Sequence, residues 1–152
     1  MEVPDIHAPE AWSRLVQEMV AAPGCVFLLG APDTGKSTLA RFLCSQSIRA
    51  GCHTAYIDGD LGQSVYSPPT TVGMVLPTHP HQPMEPGGWE CLYFIGATSP
   101  ANHLLPTAVG VERLRRRAVA QGAEIIVVDT TGLVAGTLGF ELKFFKIELL
   151  RP

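Results

Sequence analysis

The run Gly30-Ala31-Pro32-Asp33-Thr34-Gly35-Lys36-Ser37-Thr38 carries the spacing G-x-x-x-x-G-K-S without departure. Its two glycines let the backbone turn so that successive N–H groups aim at one phosphate. Lys36 brings a point charge to the β and γ oxygens, and the Ser37 hydroxyl is a candidate magnesium ligand. All nine residues are candidate nucleotide contacts. Asp33 adds a carboxylate near the phosphates, which a generic nucleotide switch does not need. A loop or cap hydrogen bond is its other reading. Binding, switching and phosphoryl transfer all use such a loop, so the fate of the phosphate must be read elsewhere. Asp58-Gly59-Asp60-Leu61-Gly62-Gln63 is the second cluster. One carboxylate of such a pair can hold the magnesium shell, and the other can accept a proton from an attacking hydroxyl. Gln63 can orient that acceptor or a water. A switch GTPase needs no acidic pair here, whereas a kinase with an alcohol acceptor does. No N-K-x-D, the guanine-reading signature, occurs in the chain. A third polar run, Asp129-Thr130-Thr131-Gly132, follows four apolar residues.

These clusters need strands to deliver them. Apolar runs of strand length stand at Cys25–Leu29, Thr54–Ile57, Val72–Leu76, Cys91–Ile95 and Ile125–Val128. Helical spacing marks 8–22, through Trp12, Leu15, Val16, Met19 and Val20, with Pro23-Gly24 as its stop. Further helices are expected over 37–50 and within 102–121. Alternating strands and helices predict an α/β fold of the P-loop NTPase kind, a mainly parallel sheet with helices on both faces. Ligands of such sheets bind at the carboxyl ends of the strands. All three polar clusters follow strands directly, so they are expected to converge on one edge. The Pro- and Gly-rich stretch 64–88 reads as a long excursion, and long loops in compact α/β domains are commonly functional. Glu141–Leu150 mixes charged and apolar residues and is given no element.

At 152 residues, with 46% hydrophobic and 16% charged residues, the chain supports one globular domain with a real core. A formal net charge of −3 argues against non-specific coating of nucleic acid. Cys25, Cys44, Cys52 and Cys91 include no C-x-x-C pair, so neither a zinc nor a redox motif is suggested. No apolar run reaches the ~18 residues of a membrane span. The expected compartment is the cytoplasm, or the nucleus of a eukaryotic cell.

With both phosphate-loop and acidic clusters in hand, the chain resembles the polynucleotide 5′-hydroxyl kinases of pre-mRNA 3′-end processing, tRNA splicing and pre-rRNA processing. The matching stretches are GAPDTGKSTL from Gly30, YIDGDLGQS from Tyr56, PPTTVG from Pro68, FIGATSP from Phe94 and VVDTTGLVAGTLGFELKFFKIELLRP from Val127. The resemblance implies ATP and Mg²⁺, and an RNA or DNA acceptor with a 5′-hydroxyl end. RNA-processing protein partners are implied as well, and no membrane. It implies that Lys36 stabilises the transferring phosphoryl group and Ser37 binds magnesium. Asp58 would be the general base on the 5′-hydroxyl, Asp60 would support it or hold the metal, and Gln63 would lie near the same centre. Thr130, Thr131 and Gly132 would match the segment that clasps the substrate end. Two departures stand out. Leu133 occupies the place where RNA-processing members often carry a base-stacking Trp. No residue matches the family's arginine-bearing lid, so residues 1–152 read as a P-loop kinase domain truncated on its C-terminal side.

Weaker signals read more plainly. Glu112–Arg117 (ERLRRR) is expected as a solvated helix face at the far end of the sheet. Lys143 and Lys146, one helical turn apart, could face the substrate. His79 and His81 lack further ligands for a metal site, and Trp89 is expected to pack under the excursion. The rival readings are a non-catalytic ATP-binding scaffold of the same fold, and an ATPase of the related partition and scaffold classes.

Overall fold

Residues 8–62, 67–80 and 88–152 are described by a computed structural model. Gln63 and His81 lie outside the described residues, as do 64–66 and 82–87. The elements run α1 (Glu10–Ala21), β1 (Cys25–Phe27), α2 (Lys36–Arg49), β2 (Thr54–Gly59), β3 (Thr71–Val75), β4 (Cys91–Phe94), α3 (Leu104–Ala120), β5 (Ile125–Thr130) and α4 (Gly136–Leu150). The strands form one sheet in the order β1-β5-β2-β3-β4.

β5 lies between β1 and β2 and is parallel to both. It is buried along its whole length, which is why Ile125–Val128 is continuously apolar and not alternating. Register places Asp58 opposite Asp129 and Gly59 opposite Thr130. The acidic clusters that end β2 and β5 are therefore neighbours across one ladder. β3 departs from the expected parallel order. It runs antiparallel to both β2 and β4, so four of the five strands share a direction and the third is reversed. The excursion that returns the chain beside β2 permits this, because antiparallel neighbours need no helical crossover.

Strand pleating sends alternate side chains to two cores. Tyr56, Ile125 and Val127 pack with Ala40, Leu43 and Cys44 of α2 and Met19 of α1. Ala55, Ile57, Val72, Met74, Ile126 and Val128 pack with Val111, Leu114 and Ala118 of α3 and Leu150 of α4. The ring of Trp12 meets that of Phe42, centroids 5.4 Å apart, and fastens α1 onto α2. Gly51 (φ +87°) follows α2 in the left-handed region, where glycine carries no Cβ penalty. Trp89 packs on Gly73, where an added Cβ would lie 2.6 Å from the indole.

α4 is the element the sequence does not announce. Its buried side carries Leu142, Lys143, Lys146 and Leu150, while Phe140 and Phe144 are exposed and stack on each other. Charge inside and aromatic rings outside cancel the amphipathic periodicity.

ERLRRR lies in the second half of α3, toward the amino end of β5. It is not fully solvated as expected. Glu112 is buried and accepts from Arg115 and Arg116 at 2.6 and 2.8 Å. Burial alone would raise its carboxyl pKa, but the two guanidinium donors outweigh burial and hold it below the ordinary value. No helix among the described residues is long and apolar enough to cross a membrane.

Candidate active site

The three polar clusters meet at the carboxyl edge of the sheet. A cleft of about 450 Å³ is lined by Pro32–Thr38, Tyr56, Asp58, Asp60, Asp129, Thr130 and Gly132. β1 delivers the phosphate loop, β2 the acidic pair, and β5 the last run.

In the loop, Asp33 and Gly35 take left-handed backbones, φ 57° and 84°. Asp tolerates that region better than most residues, because its short side chain bonds locally. The two turns bring Lys36 round so that Nζ donates to the Ala31 carbonyl at 2.6 Å. Thr34 Oγ1 donates to the same oxygen at 2.8 Å. α2 begins at Lys36, so its unpaired N–H groups and the positive end of its dipole face the loop. Ser37 and Thr38 stand in its first turn.

Ser37 Oγ donates to Asp129 Oδ2 at 2.6 Å. Asp129 is therefore the carboxylate beside the loop hydroxyl, a residue the sequence analysis did not assign to the metal. Asp129 Oδ2 also accepts from Tyr56 Oη at 3.3 Å, and Oδ1 accepts from the Thr130 N–H at 2.9 Å. Tyr56 is fully buried, and burial with the nearby charges of Asp58 and Asp129 lifts its phenol well above 10. It stays a donor. A sequence signal for Asp129 exists: four apolar strand residues followed at once by an acid, the Walker-B pattern.

Asp58 is buried, with Oδ1 accepting the Asp60 N–H at 3.0 Å and Oδ2 accepting from Ser67 at 3.1 Å. Asp60 is partly exposed in the same cleft, and its Oδ1 accepts the Gly62 N–H at 3.0 Å. Gly62 approaches the Gly96–Pro100 loop, where an added Cβ would lie 2.8 Å from the Thr98 carbonyl.

Thr130 is buried, and its hydroxyl donates to the Leu28 carbonyl at 2.7 Å while accepting from Lys143 Nζ at 2.9 Å. Its hydroxyl thus bridges a loop-root carbonyl and a buried lysine, while the residue still lines the cleft. Thr131 Oγ1 accepts the Leu133 N–H at 3.3 Å. An added Cβ at Gly132 would lie 2.6 Å from Pro32 N, so this glycine lets the third loop lie on the phosphate loop.

Lys143 Nζ also donates to the Thr131 carbonyl at 2.6 Å, and Lys146 Nζ to the Gly59 carbonyl at 3.0 Å. Burial lowers both: Lys143 to about 7, with Lys146 and Lys36 adding to the effect, and Lys146 to about 8, with Asp60, Asp58 and Asp129 opposing it.

Hard oxygen donors converge here, the Ser37 hydroxyl touching the Asp129 carboxylate with Asp60 in the same cleft. Among the described residues no group of three or more His, Cys, Asp or Glu forms a closed cage. Such a donor set fits Mg²⁺, which takes one or two protein oxygens and completes its shell with phosphate and water.

Comparisons with known proteins agree with the geometry. Over 146 residues the chain is 34% identical to a polyribonucleotide 5′-hydroxyl-kinase of Thermococcus kodakarensis, covering 95% of this chain and 41% of that protein. It is 38% identical over 128 residues to a protein of the same name from Methanocaldococcus jannaschii, covering 84% and 35%. The chain thus spans about two fifths of the length of the curated relatives it matches. A solved structure of Clp1p with Pcf11p superposes with a TM-score of 0.74 at 16% identity, over 95% of this chain and 41% of that one, a likeness of fold. The model of the mRNA cleavage and polyadenylation factor CLP1 P-loop matches residues 30–152, from the first glycine of the phosphate loop through the lysines of α4, and the chain belongs to that family.

Proposed function

We propose that this chain is the nucleotide-binding part of a polynucleotide 5′-hydroxyl kinase, which moves the γ-phosphoryl group of ATP to the 5′-hydroxyl of RNA or DNA. One observation carries the reading. The phosphate loop with its Ser37–Asp129 pair and the Asp58/Asp60 pair face one cleft, so a phosphate donor and a hydroxyl acceptor have separate acidic groups to meet. Relatives named polyribonucleotide 5′-hydroxyl-kinase support it.

The loop N–H groups and the α2 N-terminus hold the phosphates, and Lys36 exchanges the Ala31 carbonyl for a phosphate oxygen. Ser37 and Asp129 would hold Mg²⁺, and Asp60 lines the same cleft. The ion would neutralise charge developing on the phosphoryl oxygens. Asp58 accepts the proton of the attacking hydroxyl, its carboxylate oriented by the Asp60 N–H and Ser67. Gln63 belongs to the same centre in this reading. Catalysis is then chiefly positioning and charge stabilisation. The Gly132 contact with Pro32 couples the third loop to the phosphate loop, so Thr130, Thr131 and Gly132 border the acceptor, with Thr130 and Gly132 lining the cleft. RNA-processing proteins are the proposed partners, and the cytoplasm or a nucleus the proposed compartment.

The test is transfer of labelled γ-phosphate from ATP to 5′-hydroxyl RNA and DNA oligonucleotides, using the protein at its natural length beside residues 1–152. Labelled 5′ ends that vanish in both Lys36→Ala and Asp58→Asn are expected. Tight ATP binding without any labelled oligonucleotide would sink the kinase reading. ATP consumption would then separate an ATPase from a scaffold.

A further inference from the structure

α4 buries two lysines where a helix of this kind would ordinarily seat apolar side chains. Lys146 is wholly enclosed and Lys143 nearly so. Burying an ammonium group is expensive, and a Met or Leu of similar volume would fill either place at lower cost. Their contacts suggest what they do instead.

Lys146 reaches the Gly59 carbonyl, between Asp58 and Asp60 at the end of β2. Lys143 reaches the hydroxyl of Thr130 and the carbonyl of Thr131 at the end of β5. The Thr130 hydroxyl passes the contact on to the Leu28 carbonyl, two residues before the phosphate loop. One helix therefore holds the ends of β2 and β5 and, through a single hydroxyl, the root of the loop after β1. The backbone is cut to fit. An added Cβ at Gly59 would lie 3.1 Å from both Lys146 Nζ and the Asp129 carbonyl, and one at Gly139 would lie 2.9 Å from the Val134 backbone. The charges of Asp60, Asp58 and Asp129 act on Lys146, and those of Lys146, Asp60, Lys36 and Asp129 act on Lys143. The helix thus places positive charge behind the same three carboxylates whose loops it holds.

We propose that Lys143 and Lys146 are positioning residues, which lock the three site-bearing strand ends in register and set the field behind Asp58, Asp60 and Asp129 without touching substrate. The catalytic half of this proposal rests on the kinase reading, and the mechanical half does not.

Lys143→Met and Lys146→Met keep volume and remove charge. Two measurements on the protein at its natural length are read together. The first is hydrogen exchange at the Asp60 and Thr130 amides, which are bonded to Asp58 and Asp129. The second is kcat and KM for ATP with a 5′-hydroxyl oligonucleotide. Both variants should still fold, the relief of ammonium desolvation being offset by the Gly59 and Thr131 carbonyls left without their lysine donor. Exchange should quicken about tenfold or more at those two amides while the amides of Val127 and Val128 hold. On the scale set for residues that orient a site's ligands, kcat should fall about 10–100-fold. KM for ATP should stay within about threefold. Unchanged exchange and unchanged kcat would overturn the proposal and leave the lysines as filler. A fall in stability with ATP binding lost in parallel would overturn it as well, by making their role structural only. If the wild-type protein transfers no phosphate, the kinase reading fails, and the exchange data alone decide whether α4 holds the strand ends.

Discussion

Asp129 and Asp60 illustrate how a side chain's role depends on its neighbours across the sheet. Both are acids at the carboxyl end of a strand, Asp129 within β5 and Asp60 just past β2, but only Asp129 sits at 2.6 Å from the loop hydroxyl. A hydroxyl–carboxylate bond that short is charge-assisted and geometrically selective. Asp129→Asn keeps the shape and removes the charge that a divalent ion needs. Magnesium-dependent transfer should drop about 10–100-fold, the scale typical of residues that orient or complete a metal site. A magnesium titration of the transfer rate checks this. The midpoint should move to higher magnesium for Asp129→Asn, and an unmoved midpoint would return the metal to Asp60. Asp33 is an exposed loop carboxylate in a left-handed backbone that lines the cleft.

At the scale of the element, α4 behaves as a helix whose polarity is inverted near the site. Leu142 is wholly buried, whereas Phe140 is 68% exposed. Truncating a buried leucine costs the transfer energy of its methyl groups plus a cavity, about 2–5 kcal/mol. Truncating an exposed phenylalanine stacked on a neighbour costs under about 1 kcal/mol. Leu142→Ala and Phe140→Ala should therefore differ clearly in urea midpoint, the first far more destabilised. Equal losses would mean that α4 presents another face to the sheet. The sequence concealed this element because Lys143 and Lys146 occupy inward positions and the phenylalanines outward ones. A periodicity search expects the reverse. β3 was concealed differently. Its length and burial were legible, but its direction depended on how the preceding excursion returns, which no local residue pattern encodes.

For the molecule as a whole, the buried lysines link stability to pH. Lys143 and Lys146 are lowered to about 7 and about 8 from 10.5. Between those values and 10.5 the unfolded chain holds protons that the folded chain has released, so stability rises with pH. The destabilisation is complete below the folded values and is relieved as pH rises through them. Cys25 and Cys44 act in the opposite sense at higher pH, since burial lifts their thiols from 9.0 to about 11 and about 12 and the unfolded chain ionises first. The melting temperature should therefore climb between about pH 7 and 9 and stop climbing above that range. In Lys143→Met with Lys146→Met the climb should disappear. A wild-type melting temperature that is flat or falling over that interval would refute the linkage.

Local sequence determined the phosphate loop, the strand-ended acidic clusters, the two-sided burial of Ile125–Val128 and the α/β alternation. Each depends on contacts within a few residues or on a pattern that a buried strand or helix start imposes directly. Their convergence on one edge was legible too, because parallel strands place their carboxyl ends together. Tertiary structure decided the contact of Asp129 with Ser37, the reversal of β3, the internal use of the Thr130 hydroxyl and the burial of two lysines. Several of these join partners about 90 residues apart, such as Ser37 and Asp129 or Gly59 and Lys146, and the reversal of β3 depends on how the chain returns beside β2. Whether a lysine is worth burying is fixed by the carbonyls and carboxylates that three strand ends bring to it, and these come together only when the sheet has formed.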